Sequence, residues 1–124
     1  MPHSSQAQAK RFFVDRIVAQ AREEGSPLSD DEVWMLSFSE SDPDFVVDPS
    51  RVERLSQEIS DPEYEAKVAG LIKRAFEHDH RTDPRAADSY RAAYQELEKG
   101  DHYLSIMLSR TLARKLTPWW KFRF

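Results

Sequence analysis

Three glycines and seven prolines punctuate a chain of 124 residues, and their placement limits the fold more than any other feature. Glycine supplies the left-handed turn that ends a helix, whereas proline suits a helix's first turn and disrupts its interior. Between Gly25, Pro27, Pro43, Pro49, Pro62, Pro84, Gly100 and Pro118, apolar residues recur at spacings of three and four. That period belongs to amphipathic helices packing against one another. The expectation is an all-α fold, a compact bundle of about six helices forming one domain over residues 1–124. Residues 1–5 are read as a flexible lead-in and residues 117–124 as an aromatic, basic C-terminal tail.

The first helix is expected from about Gln6 to Glu24, with Phe13, Ile17 and Ala21 on one face and Gly25 as its stop. Ser29 and Glu32 form a capping box for the second, with Leu28 and Val33 placed as a hydrophobic staple. Val33, Trp34, Leu36 and Phe38 are expected to point inward or toward a neighbour. Asp48 caps and Pro49 opens a short third helix bearing Val52, Leu55 and Ile59. Ser60 and Glu63 offer a second capping box for a fourth helix, whose stripe is Tyr64, Val68, Leu71, Ile72, Ala75 and Phe76. Gly70 inside that helix suggests a close helix crossing. Asp83 and Pro84 begin the fifth, with Ala86, Tyr90, Ala93 and Leu97 on one side. The sixth, from about Asp101 to Leu116, is apolar around much of its circumference, which nominates it as the centre of the bundle.

Charge is unevenly distributed. The net charge is −4, yet from Glu23 to Glu65 there are 14 acidic side chains against two basic ones, Arg51 and Arg54. From His102 to Phe124 there are five basic side chains and no acidic one. Such polarity lets the two regions face each other, or presents each to a different partner. The absence of cysteine excludes disulfides, thiolate metal sites and thiol nucleophiles. The polar start does not resemble a secretory leader, and the longest apolar run, Val33–Leu36, is far too short to span a bilayer. A cytoplasmic location is the expectation.

Glu77, His78, Asp79 and His80, with His102 as a further ligand only if the fifth helix folds back to bring it alongside, form the best metal candidate, since Glu77 and His80 have the Glu-x-x-His spacing of di-iron helices. No second such pair occurs, and histidines in a helix's last turn also simply complement its dipole. Asp42, Asp44 and Asp48 lack the glycine and terminal glutamate of a calcium loop. Isolated glycines make no phosphate cradle, and no nucleophile-elbow sequence is present. No catalytic residue and no cofactor are therefore assigned. Weak nucleic-acid binding through the basic C-terminal region, including Arg110 and Arg114, is a third option.

The stretches FFVDRIVAQAREEG and PLSDDEVWMLSFSE, together with EYEAKVAGLIKRA and GDHYLSIML, resemble a group of small helical bacterial proteins without an assigned activity. The resemblance implies a bacterial origin and carries over no site residues. The sharper functional signal is the tail, where Trp119, Trp120, Phe122 and Phe124 surround Lys121 and Arg123. These aromatics either seal the bundle or anchor a protein partner, self or other, and attachment to a membrane surface is a lesser alternative. The leading expectation is a non-catalytic interaction or regulatory module using the four tail aromatics and an acidic contact formed by Glu40, Asp42 and Asp44. A metal-binding bundle is the alternative.

Overall fold

The computed structural model describes residues 5–40 and 42–112. These form six helices: α1 (Ser5–Glu23), α2 (Asp30–Leu36), α3 (Pro49–Glu58), α4 (Asp61–Thr82), α5 (Ala86–Leu97) and α6 (Tyr103–Leu112). The all-α expectation holds. Among the described residues the only extended pairing is an isolated antiparallel bridge between Ser39 and His102. No helix among them is long and apolar enough to cross a membrane.

The body of the fold is α1 laid against α5 and α4. Ala9, Phe13, Ile17 and Ala21 step by four along one stripe of α1 and are all buried. The expected stripe of α4 is buried from Tyr64 to Phe76, and Tyr90, Tyr94 and Leu97 supply the facing side of α5. Each fully buried Phe, Ile or Leu contributes about 1.5–3 kcal/mol relative to exposure. Where α1 meets the last turn of α4, Arg16 grips Asp79 through two part-buried bonds of 2.8 and 2.6 Å. The Tyr90 hydroxyl of α5 donates to the same carboxylate at 2.6 Å. One carboxylate thus ties three helices, and burial, reinforced by that carboxylate, pushes the Tyr90 phenol pKa upward.

Local signals set the helix ends. Gly25 has φ +80°, and the Gly25 and Ser26 amides donate to Arg22 and Ala21 carbonyls, closing α1 with a Schellman turn. The Ser29–Glu32 capping box is formed in both directions. Asp48 caps α3 by accepting from the Ser50 and Arg51 amides.

Three expectations need correction. Ser60 makes no side-chain cap bond, so the second capping box is absent. Pro62 sits at the second helical position and has no N–H to offer, which removes one of the usual targets of a capping oxygen. Gly70 does not mark a helix crossing, because a Cβ there would meet the guanidinium of Arg74, one turn along the same helix, at 2.9 Å. And α6 is not the centre of the bundle. Among the described residues it buries Leu104, Met107 and Leu108 while Ile106 stands 50% exposed, and the widest helix packing belongs to α1.

Candidate functional site

The end of the molecule built from α2, α3 and the start of α6 is covered differently from the body. Leu36 and Leu55 are buried there, but Trp34, Met35 and Phe38 are only half-buried and Val52 is 38% exposed. With Leu55, Ser56, Asp61 and Tyr103 they line a mostly apolar groove of about 210 Å³. α2 has only seven residues, too few turns to hide both Leu36 and Trp34. Trp34 instead joins Phe38 and Phe45 in a ring cluster with centroids 5.2–6.0 Å apart. The Arg51 guanidinium of α3 lies 4.8 Å over the Trp34 ring and also binds Asp31 of α2 at 2.8 Å. That arrangement fixes α3 beside α2 and holds the groove open. Val46 and Val47, in the loop leading into α3, are also exposed, at 79% and 41%.

Every lining residue except Tyr103 belongs to the segment between Glu23 and Glu65, where acids outnumber bases 14 to two. Asp61 is the acidic side chain of the lining, while Asp31 and Glu58 nearby are paired with Arg51 and Arg54. The groove's volume lies below the roughly 300–1,000 Å³ of small-molecule pockets and suits one or two inserted side chains.

A second, larger cleft of about 510 Å³ runs along α1 and is lined by Lys10, Arg11, Asp15, Ser37, Asp42 and Asp44 among others. Its floor is a buried ion pair. Lys10 Nζ donates to Asp42 Oδ2 at 2.5 Å and to the Ser37 carbonyl at 2.9 Å, while Asp42 Oδ1 accepts the Asp44 amide at 2.9 Å. Burial opposes ionisation of Asp42, but these donors outweigh it and hold the carboxyl below its usual range. Beneath the pair lies His102, 1% exposed, with neither ring nitrogen hydrogen-bonded. Burial, then the nearby Lys10 charge, lower its pKa and keep the ring neutral. The bridge to Ser39, the Ser39 hydroxyl on the Asp101 carbonyl, and the Tyr103 amide on the Phe38 carbonyl stitch the same loop to α6. The polar groups of the cleft floor are thus engaged in fastening the Phe38–Phe45 loop to α1 and α6, which positions two of the three rings beside the groove.

The residues expected from sequence are scattered by this architecture. Glu40 and Asp44 are exposed, whereas Asp42 is turned inward onto Lys10. Glu77 pairs with Lys73 on the surface of α4, His78 is exposed, and His80 stacks on Phe76 at 5.4 Å. His102 belongs to the other cluster, and no group of three or more acidic or histidine side chains among the described residues is placed to hold a metal ion. Trp119, Trp120, Phe122 and Phe124 lie outside the described residues, as do Arg114, Lys115, Lys121 and Arg123. Sequence reasoning missed Lys10, Phe45 and the groove role of Tyr103. Lys10 had a signal: it lies one turn before Phe13 on the buried stripe, where a cation requires a partner. Comparisons with protein-family models, curated proteins and solved structures find no match.

Proposed function

We propose that this chain is a protein-interaction module that receives an apolar segment with cationic flanks in the groove between α2, α3 and α6. The observation that carries this reading is an aromatic groove, left half-covered, in the most acidic part of the chain. Aromatic and aliphatic anchors supply affinity when they fill such a groove. The Asp61 carboxylate in the lining favours a cationic flank over an acidic one.

The test is fluorescence anisotropy with a dye-labelled peptide carrying two tryptophans between lysines, and a matched peptide with glutamates in place of the lysines. Trp119 and Trp120 of the protein are replaced by alanine, so that the probe is the only such segment on offer. The lysine peptide is expected to bind, to weaken at least about tenfold with Val52→Asp, and to weaken with added salt. Equal binding of both peptides, or indifference to Val52→Asp, would overturn the reading.

A further inference from the structure

We infer that the groove's resident occupant is the chain's own tail, with Trp119 and Trp120 docking in cis and occluding the groove until a partner displaces them. This inference rests on the interaction-module reading and names the first ligand of that same groove.

Three observations converge. The first is chemical: the groove is apolar, bears the Asp61 carboxylate and lies in a segment with 14 acids against two bases. Residues 113–124 contain four aromatics and four cations with no acidic side chain. The second is reach. Tyr103 lines the groove and opens α6, so the groove lies at that helix's N-terminal end. The ten residues of α6 extend about 15 Å. Trp119 follows Leu112 by seven residues, which span up to about 23–25 Å when extended. A tether extended from Leu112 onward covers that return path, and docking requires it. A helix continued to Leu116 would leave three residues, about 10 Å, to cover about 20 Å. Pro118 stands immediately before the tryptophan pair, where it opposes continuation of a helix and favours an extended approach. The third is size, since a groove of about 210 Å³ has room for one large aromatic side chain, and the tail offers two adjacent ones.

A tethered ligand competes through its effective concentration. A tail that alone would bind at about 100 µM, held at about 1 mM by a short tether, weakens an outside ligand's apparent affinity about tenfold. The module would then answer only to partners that outcompete its own tail.

Two measurements on the full chain test this. In the first, the lysine–tryptophan peptide is titrated into the unaltered protein, into Trp119→Ala/Trp120→Ala, and into Lys121→Glu/Arg123→Glu, which keeps every ring. Both variants are expected to bind the peptide about tenfold more tightly than the unaltered chain. In the second, Ser56→Cys in the groove is combined with Lys121→Cys. The chain has no other cysteine, so oxidation at low protein concentration reports proximity cleanly. The expected product is a disulfide within one chain, formed at least about tenfold faster than in an exposed control pair, Glu77→Cys with Lys121→Cys. Equal peptide affinity in all three proteins overturns the inference and leaves the groove reading intact. A disulfide found only between chains overturns docking in cis in favour of a second copy. Failure of the peptide to bind any of the three proteins removes both the inference and the reading beneath it.

Discussion

Two clusters of aromatic rings show how similar local geometry serves different ends. Phe12, Phe13, Phe76 and Tyr90 meet edge to face at 5.1–5.9 Å between α1, α4 and α5. Trp34, Phe38 and Phe45 meet at similar distances beside the groove. The first group sits among the longest helices, with Phe13, Phe76 and Tyr90 buried. The second rests on a seven-residue helix and a loop, and all three of its rings stay half-buried. Ring spacing is similar in both, so coverage is what separates the two clusters.

The largest effect that would break this contrast is a direct exchange of losses. Phe13→Ala empties a fully buried site and is expected to cost about 3–5 kcal/mol in chemical denaturation. Trp34→Ala should cost under about 2 kcal/mol, because that ring is already partly in water, while abolishing binding of the lysine–tryptophan peptide. Equal losses of stability would mean that the second cluster is core as well.

Next in size is the fastening of the Phe38–Phe45 loop. Lys10 and Asp42 side chains are only 10% and 6% exposed, so removing one partner strands the other. Asp42→Ala is expected to cost about 3 kcal/mol, and the double change Lys10→Met/Asp42→Leu to recover most of it. Denaturant midpoints with unchanged slopes would report this. A double variant as weak as the single one would show that the loop needs the charges themselves.

The same fastening carries a pH signature. His102 faces Lys10 on α1, Asp42 on the loop and its neighbour Asp101, and its folded pKa is lowered, with burial the first cause. The unfolded chain therefore takes up a proton first as pH falls below about 6.5, and stability drops from there toward the folded value. Asp42 acts further down: its folded pKa is also lowered, so its contribution is complete above the unfolded value and is lost as pH falls through the folded one. Thermal melts should be flat from neutrality to about pH 9, below the range in which the tyrosines of the unfolded chain ionise, and decline in two stages on acidification. His102→Leu should remove the upper stage and leave stability at pH 8 nearly unchanged, since neither ring nitrogen has a hydrogen bond to lose.

How far the sequence reveals this depends on the range of the interaction. The Schellman turn at Gly25, the capping box at Ser29 and Glu32, and the Asp48 cap involve neighbours within a few residues and could be read directly. The buried stripes of α1 and α4 followed from periodicity. Periodicity says that a residue faces something, not whether the covering is complete. Trp34 and Phe38 thus read as facing inward or toward a neighbour, and they both pack on neighbouring rings and border a groove. The same ambiguity misplaced α6, which is apolar on several sides because it borders the core through Leu104 and Leu108 and reaches the groove through Tyr103. His102 read as a remote metal ligand because its real neighbours, Lys10 and Asp42, are distant in sequence.

The smallest effect concerns Gly70, the position at which local and tertiary explanations compete most directly. Alanine is preferred over glycine inside a helix by about 0.8–1.0 kcal/mol, so tertiary structure must supply a reason to keep glycine if it is needed. The nearest obstacle to a methyl group is Arg74 Nη1, the far end of a flexible side chain that is half exposed and paired with Glu24. That guanidinium can shift outward, and an exposed pair of this kind contributes little to stability. Gly70→Ala is therefore expected to be neutral or to stabilise the protein by up to about 1 kcal/mol. A loss of more than about 2 kcal/mol would mean that a neighbouring helix does approach this face of α4, in a body packed more tightly than its ring contacts alone require.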